Sequence, residues 1–179
     1  MVRRVVVDVA VTLDGFIEGK NGEIDWCTME PDMNFPQFLS TVDTIFYGRK
    51  SYEQWGQFVP DAQAAEDEQQ LWHLVHSKEK HVFSTTQQFD GVISVSGDIA
   101  EHVRALKEQP GGDIWLYGGA SLVESFLAQQ LIDEFRLSVH PIVLGDGKPL
   151  FSTAAKRMSL QLVSSQAFAS GVVQLIYRK

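Results

Sequence analysis

"IWLYGGASLVESFL", residues 114 to 127, runs an apolar, strand-like segment into two adjacent glycines and out again into a helical pattern. Glycine is entropically costly to order and has no side chain to pack, so a pair of them between a strand and a helix marks a place where the backbone itself is wanted. In an open α/β sheet, ligands bind beyond the carboxyl ends of the strands. A helix N-terminus there offers free N–H groups and the positive end of its dipole. Removing Cβ atoms at that junction lets the backbone approach a phosphate closely. Gly118 and Gly119 meet both requirements, with Ala120, Ser121 and Leu122 opening the helix. The patterns GxGxxG and GxxxxGK[ST] are absent, so a dinucleotide would be held in another arrangement. A tight turn without a ligand is the alternative.

A second junction has the same form. In "YGRKSYE", residues 47 to 53, a strand ends at Gly48 and a helical turn begins with Arg49, Lys50 and Ser51. A planar guanidinium beside a compact ammonium suits the 2′-phosphate of NADP, although paired basic residues also serve as plain solvated surface. Ser84 and Thr85 end a third strand and supply hydroxyls that could reach the same phosphate.

The rest of the chain supports an α/β sheet. Residues 4 to 11 (RVVVDVAV) read as a central strand buried on both faces. Turn signals at Asp14-Gly15 and Asn21-Gly22 flank Phe16-Ile17, and apolar spacing from Pro31 predicts a short helix ending near Ser40. Further strands are expected at 43–48, 81–85, 92–95 and 113–117. Helices are expected at 62–75 and after Asp98, an N-cap for a face of Ile99, Val103 and Leu106. The alternation of strand and helix implies a largely parallel sheet. After Leu131, "EFRLSVHPIVL" alternates Phe135, Leu137 and Val139 inward with Arg136, Ser138 and His140 outward, and two strands joined at Ser170-Gly171 close the chain in an antiparallel hairpin.

Composition narrows the function. A chain of 179 residues, 44% apolar, fits one domain spanning residues 1–179. A formal charge of −8 and a pI near 5.0 argue against nucleic acid or an anionic membrane as partner. The single cysteine, Cys27, excludes an internal disulfide. The first residues lack a signal-peptide pattern, which leads to the expectation of a soluble, cytoplasmic protein.

The strand, the "LDG" loop with Trp26 downstream, "GRKSYE", the double glycine and "LIDEFRLSVHPIVLGDGKPLF" together resemble the dihydrofolate reductase-like family. The branch they resemble most is the reductase domain of riboflavin-biosynthesis proteins. The resemblance covers nearly the whole chain and implies a three-layer α/β fold, a central mostly parallel sheet with helices on both faces, NADPH as hydride donor, and a homodimer. On matching positions it implies that Gly48, Arg49, Lys50, Ser51, Ser84, Thr85, Gly118, Gly119, Ala120, Ser121 and Leu122 hold the cofactor phosphates and adenosine. It also implies that Ala10 and the loop from Thr12 to Ile17 lie along the nicotinamide, with Asp14 and Trp26 on the substrate side. The zinc deaminase motifs of the riboflavin proteins are missing, which leaves only the reductase half.

For the proton that accompanies hydride transfer, Asp32, Asp25, Glu23 and Tyr117 are candidates, with Asp32 first; an N-terminal helical Asp favoured by the dipole is the competing explanation. Trp26 could stack on a flat heterocycle or serve as core. His73 and His76 suggest solvated helix surface rather than a metal site, and Lys148 sits in a Gly-Asp-Gly turn. Three functions follow: a reductase of a small heterocyclic substrate, most specifically a 5-amino-6-(5-phosphoribosylamino)uracil reductase; a dihydrofolate or pterin reductase; or a non-catalytic nucleotide-binding dimer.

Overall fold

The computed structural model describes residues 3–30, 33–152 and 156–179. Pro31 and Asp32 lie outside the described residues. The elements run β1 (Val5–Thr12), β2 (Phe16–Glu18), α1 (Phe35–Thr41), β3 (Val42–Gly48), α2 (Arg49–Ser51), a π-helical turn (Tyr52–Gly56), α3 (Glu66–His76), β4 (Glu79–Phe83), β5 (Ile93–Val95), α4 (Ile99–Lys107), β6 (Asp113–Gly118), α5 (Ala120–Ala128), β7 (Glu134–His140), β8 (Lys148–Pro149), β9 (Gln161–Ala167) and β10 (Val173–Arg178). Eight strands form one sheet in the order β5-β4-β3-β6-β1-β7-β10-β9, and β2 pairs separately with β8. From β5 through β7 all neighbours are parallel, while β10 runs antiparallel to both β7 and β9.

Alternation along β1 sets the layers. Successive strand residues point to opposite faces, so Val5, Val7 and Val11 join a core with Val103 and Leu106 of α4 and Leu122, Val123, Phe126 and Leu127 of α5. Val6 faces the other way, into a second core with Phe38 and Leu39 of α1 and Val75 of α3. Helices therefore cover both faces. The helices α1 and α3 pack over β3, β4 and β6, and the same face of β1, β7 and β10 is left to the loops.

The expected elements form with shifted ends. The helix after residue 62 begins at Glu66, because Asp61 first closes a turn by accepting from the Gln63 amide at 2.7 Å. Asp98 caps α4 as expected, accepting from the Glu101 amide at 2.8 Å. One expectation is corrected: Ser138 and His140 do not face solvent but are 8% and 2% exposed. The loop that carries Thr28 closes over this face of β7, with the Thr28 amide donating to His140 Nε2 at 3.0 Å, so Ser138 and His140 lie on the floor of a cleft.

Of the two histidines expected on solvated helix surface, His73 agrees and His76 does not. His73 is exposed, but His76 bonds the Phe58 carbonyl at 2.7 Å, and His81 is buried with its Nδ1 2.8 Å from His102 Nε2. Glu79, 2.9 Å from His81 Nε2, can only accept when ionised, so His81 carries its proton on Nε2 and accepts at Nδ1 from His102. Burial, followed by the neighbouring His81, pulls His102 below its ordinary pKa, with Glu79 opposing.

Two outcomes follow for stability. Phe126 is fully buried against Phe46 and Phe83, and Phe126→Ala should cost about 3–5 kcal/mol, read as a lower urea midpoint at unchanged slope. The folded state binds a proton at His102 less readily than the unfolded chain does. Its contribution is therefore complete above the ordinary histidine value of about 6.5 and is lost as pH falls through it. Thermal melts between about pH 7.5 and 5.5 should show a steeper loss in the wild type than in His102→Gln.

Candidate active site

Parallel pairing brings the strand ends together. Phe83 lies opposite Gly48, and Tyr47 opposite Gly118, so the chain leaves β4, β3 and β6 side by side at Ser84, Gly48 and Gly118. The two junctions approach closely. A Cβ on Gly48 would sit 3.4 Å from the Gly119 nitrogen, and one on Gly119 would sit 2.9 Å from Ser51 Oγ. Gly118 has φ +115°, a conformation that L side chains rarely adopt. No side chain caps the N-terminus of α5, so its first amides face the junction without a side-chain acceptor.

Around this cradle stand the other expected residues. Arg49 donates from one nitrogen to both Glu53 oxygens at 2.9 Å, a half-exposed pair of the kind that contributes little and exchanges readily for a stronger anion. Lys50 and Thr85 are exposed. Ser84 Oγ accepts from the amides of Thr86 and Gln87 at 3.3 and 3.0 Å. Backbone amides, a cation pair and hydroxyls thus lie at one sheet edge, a donor set that fits a phosphorylated dinucleotide.

Beside the cradle, the uncovered half of the sheet forms the floor of a cleft of about 290 Å³. Asp8 and Ala10 of β1 and Ser138 and His140 of β7 share that floor, and Phe35, Trp72, Trp115 and Tyr117 give it aromatic walls. Asp8 Oδ2 accepts from Arg136 Nε at 2.9 Å, and the guanidinium lies 4.9 Å from the centre of the Phe38 ring. Burial raises the Asp8 carboxyl above the usual range, with Arg136 pulling against it. Burial likewise raises the Tyr117 phenol, so it holds its proton.

The loop before α1 is fastened over the cleft by His140. Its Nδ1 donates to the Ser138 carbonyl at 2.9 Å, leaving Nε2 to accept from the Thr28 amide at 3.0 Å. Trp26 stands edge-on to the same imidazole, 5.2 Å away, while its neighbours Cys27, Thr28 and Met29 line the cleft. Trp26 itself does not line the cleft. Asp14 does not line the cleft either: Thr12 Oγ1 donates to it at 2.6 Å and the Gly145 amide at 2.8 Å, which holds its pKa down and ties two loops together. Glu23 is occupied by Asn21, and Lys148 by Glu18 at 2.9 Å. Asp32, the first-ranked acid, lies outside the described residues. Asp8, Arg136 and His140 are the residues that sequence reasoning missed; the one available signal was a lone carboxylate inside the valine run of β1.

The fold and site define a dihydrofolate reductase-like α/β domain. More narrowly, the family described as "RibD C-terminal domain" matches residues 3–174, and the chain belongs to that family of reductase-type domains. It is 56% identical to the uncharacterized protein YyaP of Bacillus subtilis (strain 168), over 98% of this chain and 94% of that one. A putative riboflavin biosynthesis protein from Shewanella sp. PV-4 superposes with a TM-score of 0.79 at 26% identity, covering 98% of both chains. Dihydrofolate reductase from Enterococcus faecalis, solved with NADP(H), shares the fold at a TM-score of 0.67 and 12% identity, over 98% of this chain and 95% of that one.

The His140 fastening has a direct readout. In His140→Ala, amide exchange at Thr28 should accelerate about five- to ten-fold, the equivalent of one ordinary hydrogen bond, with exchange in β3 unchanged.

Proposed function

We propose that the protein is an NADPH-dependent reductase of a small, flat heterocyclic substrate of the pyrimidine or pterin class. The observation that carries this reading is the abutment of two glycine junctions, Gly48–Ser51 and Gly118–Leu122, at the edge of an aromatic-walled cleft. In this reading the amides of the α5 N-terminus hold the pyrophosphate. Arg49, Lys50 and Ser51 hold the 2′-phosphate, with Ser84 and Thr85 toward the adenosine. Ala10, on the cleft floor, lies beside the nicotinamide. The cofactor supplies hydride; the chain's part is to orient the ring, keep water from the aromatic cleft and provide the accompanying proton. The phosphoribosylamino-pyrimidine of riboflavin synthesis is the most specific form that the sequence resemblance offers. A cytoplasmic homodimer belongs to the same proposal.

Nicotinamide fluorescence on titration with NADPH and NADH tests it. Wild-type protein should prefer NADPH, and Arg49→Ala should weaken NADPH binding roughly 10- to 100-fold, as expected for losing a charge-assisted contact to phosphate, with little change for NADH. Absence of NADPH binding at near-millimolar concentration would remove the reductase reading.

A further inference from the structure

The charges under the cleft leave one group free to meet a ligand. Arg136 is committed: it donates to Asp8, its Nη1 lies 4.0 Å from Glu134, and its guanidinium rests over Phe38. Glu134 in turn accepts from Arg4 at 2.7 Å and Arg178 at 2.6 Å, and Arg4 also donates to Asp113 at 3.1 Å. The cluster Asp8, Glu134, Asp113, Arg4, Arg136 and Arg178 is thus balanced, and no positive charge is left over for the cleft.

The cleft itself agrees. Among the described residues that line it there is no lysine or arginine, and its one carboxylate is Asp8. Both ring nitrogens of His140 are engaged by backbone. The second Asp8 oxygen, Oδ1, has no hydrogen-bond partner among the described residues, and 13% of the side chain stays open. A phosphate entering here would lose its water and find no cation in exchange, a penalty that neutral hydroxyls and amides do not offset. An N–H on a flat ring would instead find a carboxylate oxygen to accept it between aromatic walls.

We propose that Asp8 sets the substrate class: its free oxygen accepts an N–H from a nitrogen heterocycle carrying no phosphate, while its pairing with Arg136 denies an anionic substituent the nearest guanidinium. This rests on the reading of the cleft as a reductase's substrate pocket, and it directs that reading away from phosphorylated pyrimidines toward bare or amine-substituted rings.

Calorimetry with cytosine, cytidine and cytidine monophosphate tests it, with NADPH titrated separately on the same samples. In the wild type, cytosine and cytidine should bind, and the monophosphate at least about ten-fold more weakly than cytidine. The near-isosteric Asp8→Asn should weaken cytosine about ten-fold or more, shrink the penalty on the phosphate, and leave NADPH affinity unchanged. The proposal is overturned if wild-type protein ignores cytosine, if it takes the monophosphate as tightly as cytidine, or if Asp8→Asn leaves cytosine binding intact. Should that variant not fold, the wild-type comparison of cytidine with its monophosphate decides alone. Loss of NADPH binding with the cytosine pattern preserved would sink the reductase reading and leave the assignment of Asp8 standing.

Discussion

Everything in this molecule is organised around a single strand whose two faces do different work. Strand β1 is hydrogen-bonded on both edges, to β6 and to β7, so its side chains have nowhere to go but up or down. Val5, Val7 and Val11 fill the core under α4 and α5, while Val6, Asp8 and Ala10 face the opposite layer. A shift of one residue in its register would bury a carboxylate among α4 and α5 and put valines on the cleft floor, so the apolar pattern of β1 and the chemistry of the cleft are specified together.

The glycine junctions depend on the same frame. Parallel strands deliver their carboxyl ends, and the helices that follow them, to one edge of the sheet. Because β6 inserts between β3 and β1, the turn after Gly118 comes down directly beside the turn after Gly48, at van der Waals distance. The two glycines differ in their reasons: Gly118 takes φ +115°, which L side chains rarely adopt, whereas a Cβ on Gly48 would stand in ordinary contact, 3.4 Å, with the Gly119 nitrogen. The cleft lies alongside because α1 and α3 cover only the β3, β4 and β6 half of their face.

Much of this was legible in the sequence, and what was not has a physical explanation. Glycines after apolar runs, the Asp98 cap and the period-2 pattern of β7 are local signals, and they located the junctions, α4 and the sheet. The role of Asp8 is not local. Its meaning comes from Arg136, 128 residues away, and from the gap that α1 and α3 leave uncovered. Ser138 and His140 were read as solvent-facing because alternation says which residues share a face but not whether that face is covered. Asp14 looked like a ligand contact in a long loop, yet it spends its oxygens on Thr12 and Gly145. The sequence alone could not show that Glu79, His81 and His102 form one chain of hydrogen bonds.

The position of β1 at the middle of the sheet also affects how the protein is made. In chain order it precedes both of its partners, Asp113–Gly118 and Glu134–His140. A nascent polypeptide on the ribosome therefore holds a valine-rich strand with both edges unpaired until β6 and β7 have emerged. Such non-local pairing favours slow folding. The carboxylate of Asp8 interrupts the apolar run of that strand, the position at which charged residues guard segments exposed during folding.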